Sequence, residues 1–420
     1  MSDIRFEGWL HRSGTGGVYQ DSAGNVGIAS TQPQTRLDIG NGGFQVGPTG
    51  IATVTTVNTT NVINATPLSH RNLLINSEFV VNQRGNSSVA VGDGNYPCDR
   101  WKIANNGTLT GTVEVNSTSP TIDSNNFTKS IKVTSTSTTA ASSAGDYAAI
   151  GQRLERNAAA NFGWGTSNAQ SVTLSFYVRS SKTGIFSAYL IGGDGFNRTF
   201  TFEYTIASAD TWQKVEQTIT GDTGGTWTYS TDNSIGLGLN FVLENLGSGA
   251  GTTSSLNSWQ AGNNYAGSTN QVNLFDTNNA TWYVAGVQLE RGSAATPFEH
   301  RSEEDELALC HRYYQKLSGA SLSYFGVGNV DGATMAQILV NFVTEMRVAP
   351  SSLETNGTAS HYSVRMNSNA TGSSVPTLSN AHTKNAMVIF YAASHGFTNG
   401  QAVFGRSASS TAYLAFSAEL

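Results

Sequence analysis

Runs of alternating apolar and polar residues constrain this chain more than any other feature. In Ser171-Val172-Thr173-Leu174-Ser175-Phe176-Tyr177-Val178, the side chains of Val172, Leu174, Phe176 and Val178 fall on one face of an extended strand. A helix would scatter them, whereas an antiparallel strand lays them on a core. Comparable runs occupy 73–79, 110–115, 129–134, 185–190, 198–206, 213–219, 235–243 and 282–289, separated by Gly, Asn and Asp. Only 12% of the 420 residues are charged, whereas 45 are glycine. A helical enzyme rich in Ala, Leu, Glu and Lys is excluded. An aromatic share of 10% excludes a disordered polar tract. The reading is all-β: antiparallel sandwich domains.

Charge narrows the partners. The formal net charge is −6, with no Lys/Arg stripe to neutralise phosphates, so no nucleic-acid partner is expected. No run of 18 apolar residues occurs, so no membrane insertion is expected. Met1 to Glu7 contain no apolar stretch, so no signal peptide is expected. Cys98 and Cys310 are too few for a disulfide framework and read as buried, reduced thiols.

The chain divides into four parts. Residues 1–66 are short strands broken by glycine, with too little apolar material for a core of their own. Residues 67–70 are a linker, and 71–300 form the main sandwich. Residues 301–319 contain a connecting helix predicted over 302–317. There Ser302 caps the backbone, Glu303, Glu304, Asp305 and Glu306 favour the positive helix end, and Leu307, Cys310 and Leu317 share a face. Residues 320–420 return to strands as a second sandwich.

Catalytic signals are missing. No P-loop, H-E-x-x-H, C-x-x-C or G-x-S-x-G occurs, and the seven histidines are dispersed, so no catalytic residue, metal or cofactor is expected. The acidic run 303–306 fits helix-start charge better than a glycosidase pair. No coil-length repeat of a β-helix lyase is present. The positive signal is aromatic. Trp164, Trp259 and Tyr265 sit in Gly/Asn-rich segments; Tyr362, Arg365, His395, Phe397 and Asn399 sit in polar segments of the last part. Such rings either stack on sugar faces beside amide groups or fill the sandwich core.

Several blocks are similar to a domain of tailed-phage tail fibres. They are Arg71-Asn72-Leu73-Leu74-Ile75-Asn76-Ser77, Tyr96-Pro97-Cys98-Asp99-Arg100-Trp101, Asp210-Thr211-Trp212-Gln213-Lys214-Val215, Trp282-Tyr283-Val284-Ala285-Gly286-Val287-Gln288-Leu289-Glu290, Ala295-Thr296-Pro297-Phe298-Glu299, and Glu306-Leu307-Ala308-Leu309-Cys310-His311-Arg312-Tyr313-Tyr314. Their order and spacing match over roughly 71–316. The resemblance implies a non-enzymatic jelly roll similar to carbohydrate-binding modules. Related jelly rolls carry calcium on aspartates of the last strand; Tyr283-Val284-Ala285-Gly286-Val287 has none, so no ligand set is carried over. The expectation is a homotrimeric tail fibre on the virion, assembled in the host cytoplasm. Residues 1–66 would join a tail adaptor, nozzle or baseplate protein. Binding of a host cell-surface glycan would be adhesion without catalysis, with 320–420 as the distal tip. The alternatives are a tail-associated depolymerase and a structural connector to a separate adhesin.

Overall fold

The structure, a computed structural model, describes 8–10, 17–20, 22, 26–28, 37–39, 44–46, 52–53 and 70–420, except 123–125, 138–144, 229–232, 246–250, 263–266 and 394–395. The chain forms two units, Met1–Pro67 and Leu68–Leu420. In the first, six strands of two to four residues lie in chain order in one sheet. All neighbours run antiparallel except Val26–Ile28 and Leu37–Ile39, which are parallel. Val18 pairs with Ile28, and both stay exposed, as a sheet this small leaves them.

The main sandwich of the second unit packs two six-stranded sheets face to face. The first has the order Gln213–Ile219, Val172–Ser180, Thr281–Arg291, Ser130–Ser135, Gly111–Asn116, Val89–Ala90. The second has the order Trp259–Ala261, Arg198–Ile206, Gly184–Gly192, Ile235–Asn245, Tyr147–Glu155, Lys102–Asn106. Every named pairing in these two sheets is antiparallel. Val172, Leu174, Phe176 and Val178, with Trp282 of their own sheet, face Phe200, Phe202, Leu239 and Phe241 in one continuous core.

Three readings need correction. Residues 73–79 are not a strand but a chain of turns, held by side chains that do the work of a ladder. The Asn76 amide donates to the carbonyls of Val81 and Asp99, at 2.8 and 2.9 Å, and accepts from Val81 N–H. Tyr147–Glu155 is a central strand with no strong alternation. Its inward side mixes Ala148, Ile150 and Leu154 with Gln152, which exchanges two hydrogen bonds with the backbone of Ile75. The helix is shorter than 302–317. It spans Glu303–His311, with Ser302 Oγ accepting from Asp305 N–H at 3.1 Å as expected. Residues 314–318 are instead a strand, because Tyr413–Ser417 offers them a ladder partner and the tyrosines favour it.

The C-terminal part has its own core of Ile338, Val340, Tyr362, Val388, Phe390, Leu414 and Phe416 between two sheets. One has three strands, Tyr314–Ser318, Tyr413–Ser417 and Leu353–Thr355. The other has seven: Asn369–Thr371, Tyr362–Arg365, Ala402–Ser407, Tyr324–Val330, Met335–Asn341, Asn385–Tyr391, Ser374–Ala381. A charged junction joins it to the main sandwich. Arg100 pairs with Glu419, which also lies 3.6 Å from Arg84. Arg84 stacks over Tyr314 at 3.8 Å and Arg100 over Tyr313 at 3.5 Å. Glu155 binds Arg312 through two bonds of 2.7 and 2.8 Å. Cys98 and Cys310 are free and fully buried nearby, and burial pushes both thiols up.

Candidate functional site

The aromatic residues singled out by sequence do not form one surface. Trp164 is 1% exposed: its Nε1 donates to Gln170 O at 2.7 Å, and its ring packs 5.0 Å from both Trp227 and Trp259. Half-buried Trp259 donates to Thr220 O and packs on Phe200. This tryptophan cluster closes one end of the sandwich, so the core reading holds for Trp164 and its ring offers no open face. Tyr362 is also 1% exposed, and its hydroxyl donates to Tyr413 O at 2.8 Å. Phe397 packs half-buried on the C-terminal core. Asn399 is exposed, with its side-chain oxygen accepting from Gly332 N–H. Tyr265 and His395 lie outside the described residues.

Arg365 ends a different feature. By register it begins a row across the seven-stranded sheet: Arg365, Phe404, Val327, Leu339, Met387. Phe404, Val327, Leu339 and neighbouring Tyr324 are between 37% and 53% exposed. The row is an apolar surface with one cation at its edge.

A second surface, not anticipated from sequence, lies on the outer face of the second main-sandwich sheet. Alternation points Phe186, Ala188 and Leu190 into the core, so Tyr189 and Ile191 point out. The same parity turns Gly238 and Asn240 outward from Leu237, Leu239 and Phe241, and Gly151 and Arg153 outward from Ile150 and Leu154. Register aligns Lys102, Gly151, Asn240 and Tyr189 in one row and Arg153, Gly238 and Ile191 in the next.

The two glycines shape this face. A Cβ on Gly238 would lie 3.2 Å from Ile191 Cγ2, 3.7 Å from Asn240 Nδ2 and 3.9 Å from Arg153 Cγ. A Cβ on Gly151 would lie 2.6 Å from Asn240 Oδ1. The neighbouring side chains therefore lie down over the glycines and make a platform. Behind it the Tyr147 and Tyr189 hydroxyls hydrogen-bond each other at 2.8 Å, and burial raises both phenols. One flank is walled by 267–271, where Ser268 N–H donates to Ser187 Oγ and Asn270 to Glu203.

The platform's polar groups are unspent. Among the described residues, the Asn240 amide has no hydrogen-bond partner, and the charged ends of Lys102 and Arg153 have no carboxylate. The Arg153 guanidinium sits 6.0 Å from the Phe196 ring, which also lines an open cleft of about 380 Å³ with Arg156, Ile235, Arg347 and Glu419. Arg100 donates to the Arg153 carbonyl at 2.5 Å, tying the platform to the charged junction. The sequence signal that could have found this face is Gly236-Leu237-Gly238-Leu239-Asn240, a strand whose outward positions are small or amide-bearing.

The acidic run 303–306 has structural work. Glu306 accepts from Asn76 N–H at 2.6 Å and from Arg301 at 3.2 Å, while burial raises its carboxyl. No group of three or more metal-ligating side chains occurs among the described residues. No helix among them is long and apolar enough to cross a membrane.

No protein-family model and no curated protein matches this sequence. Solved structures similar to part of it include the enzymatically active domain of tailspike protein 4 from bacteriophage CBA120, 13% identical over 50% of this chain, TM-score 0.28. The match spans only 22% of that tailspike chain. The family 11 carbohydrate-binding module of a Clostridium thermocellum cellulosomal cellulase is 11% identical over 50% of this chain and 98% of its own, TM-score 0.26. A putative sugar binding protein from Bacteroides thetaiotaomicron is 14% identical over 53% and 100%, TM-score 0.27. The sandwich fold rests on the strand order above.

Proposed function

We propose that this chain is a tailed-phage tail fibre subunit that attaches the virion to its host by binding cell-surface glycan. The observation that carries the reading is the platform with its unpartnered Asn240 amide. An amide offers two donors and an acceptor, a pattern that suits vicinal hydroxyls. Ile191 and Phe196 supply apolar contact beside it, and sheet strands hold the geometry rigid. The main sandwich, rather than 320–420, then carries recognition, because the C-terminal candidates do not converge. Binding is adhesion without turnover. A homotrimer multiplies a weak site by local concentration, and residues 1–66 attach it to the tail.

The connector reading has one observation in its favour, the exposed row of Phe404, Val327 and Leu339. In the adhesive reading that row packs against other copies in the trimer.

A glycan array with the full chain and with Asn240→Ala tests this. Binding by the wild type and loss in the variant are expected. Release of reducing sugar in the same samples would favour a depolymerase, and binding unaffected by Asn240→Ala would remove the platform.

A further inference from the structure

We infer that the glycan bound by the platform is anionic, and that Lys102 and Arg153 hold its carboxylate or phosphate. This rests on the reading of that face as a glycan site. The chain has 29 acidic and 23 basic side chains, so carboxylates are in excess. Among the described residues, seven of the thirteen arginines of the second unit meet one, including Arg100 with Glu419, Arg198 with Asp222, Arg301 with Glu299 and Glu306, and Arg312 with Glu155; Arg71 and Arg347 bond carbonyl or hydroxyl oxygens instead. Lys102 and Arg153 do not, although they are neighbours on one face. Lys102 pairs with Gly151 across the ladder and Arg153 is two residues farther along, a diagonal of about 7–8 Å between backbones. Both long side chains can reach a single anionic group between them.

The surroundings favour an oxyanion attached to a sugar over a free ion. Lys102, Gly151 and Asn240 are consecutive in one row, so Lys102 and Asn240 stand two strand spacings apart, about 10 Å. The Asn240 amide lies over the glycine between them, so a sugar ring resting on that amide can turn its acidic substituent to Lys102 and Arg153. Ile191 and the Phe196 ring continue the contact beyond Arg153. An overall acidic protein repels an anionic polymer at long range. Two unpaired cations at the contact point overcome that repulsion locally, and guanidinium and ammonium groups bind oxyanions through charge-assisted hydrogen bonds.

The test uses the full chain and a panel of acidic bacterial polysaccharides, each in three forms: native, carboxyl-reduced to the neutral sugar, and dephosphorylated. Affinity is expected to fall at least about tenfold on removing the group that is recognised, the size of one lost charge-assisted hydrogen bond. The arm that falls tells carboxylate from phosphate. Lys102→Gln with Arg153→Gln should lower affinity for the native form to that of the neutral form, with an unchanged melting temperature, and should flatten the salt dependence. Equal binding of native and neutral forms overturns the anionic proposal and leaves glycan binding standing. Loss in the double variant for native and neutral forms alike also overturns it. Binding to no polysaccharide of any charge removes both.

Discussion

The two outer faces of the main sandwich begin from similar strands and end differently. On the first sheet the outer face is sealed. Phe127 packs on Tyr177, Phe298 and His300 with centroids 4.9–5.5 Å away, and its ring lies against Gly286. Gln288 donates to Glu290, and Glu290 accepts from Thr296 N–H and Oγ1, so these two buried side chains are paired within the protein, while Trp212 Nε1 and Arg179 Nε on the same face are buried with no partner among the described residues. On the second sheet, among the described residues, the Asn240 amide has no hydrogen-bond partner and Lys102 and Arg153 meet no carboxylate, Arg153 lying only beside the Phe196 ring. A strand can thus carry polar residues on its outer face for two reasons. Partners elsewhere in the chain account for Gln288 and Glu290, and Asn240 has none among the described residues.

Four measurements would break or sharpen that contrast. The largest effect is expected on the sealed face. Phe127→Ala should cost about 3–5 kcal/mol in urea unfolding and leave glycan affinity of the folded protein unchanged; a matching loss of affinity would mean the faces are not independent.

Next is a pH effect at the junction. Burial raises the Asp99 carboxyl from 3.8 to about 6, against the opposing pull of Arg84 and the Gln83 hydrogen bond, with Glu419 adding to the rise. A raised folded pKa means stability fully present below about pH 4 and lost as pH rises through 6, by about 3 kcal/mol. Cys98, Cys310, Tyr314 and Lys316 also feel this charge. Asp99→Asn should flatten this part of the stability profile. Any change of affinity over this range should be the same in Asp99→Asn and in the wild type, since Asp99 lies away from the platform.

Asn240→Ala should weaken glycan binding by about 1–2 kcal/mol and move the melting temperature little, as calorimetry can show. A large drop in stability instead would make the amide structural. The smallest effect is expected at Gly238. An alanine there meets Ile191 Cγ2 at 3.2 Å, so stability should fall by less than about 1 kcal/mol while the lifted side chains lower affinity a few-fold.

The sandwich itself was legible because its core strands alternate. Residues 198–206 and 213–219 are strands at the expected bounds, and Val172 to Val178 bury the expected face. That the other face of 172–180 is buried too could not be read, because Phe127 and Phe298 come from distant segments. Tyr147–Glu155 escaped for a related reason: it borrows its fit from Ile75 and from neighbouring strands. Trp164 and Tyr362 could not be told from surface rings, because aromatic residues in glycine-rich or polar segments look alike whether they cap a core or face solvent. Trp164 needed Trp227 and Trp259 to decide it. Asn240 carries no signal alone; its meaning comes from Gly151 and Lys102 beside it, roughly 90 to 140 positions earlier in the chain.

The Arg100–Glu419 pair joins residues 319 positions apart. During synthesis the arginine emerges long before its partner exists, and loop closure over that length must wait for the final strand. Until then its guanidinium stays hydrated, and the bond from Arg100 to the Arg153 carbonyl has no counter-charge to fix it. This corner of the second unit is therefore fixed late in synthesis. A shortened chain can bury the sandwich core yet leave Arg100 without Glu419, so the core and the junction form at different times.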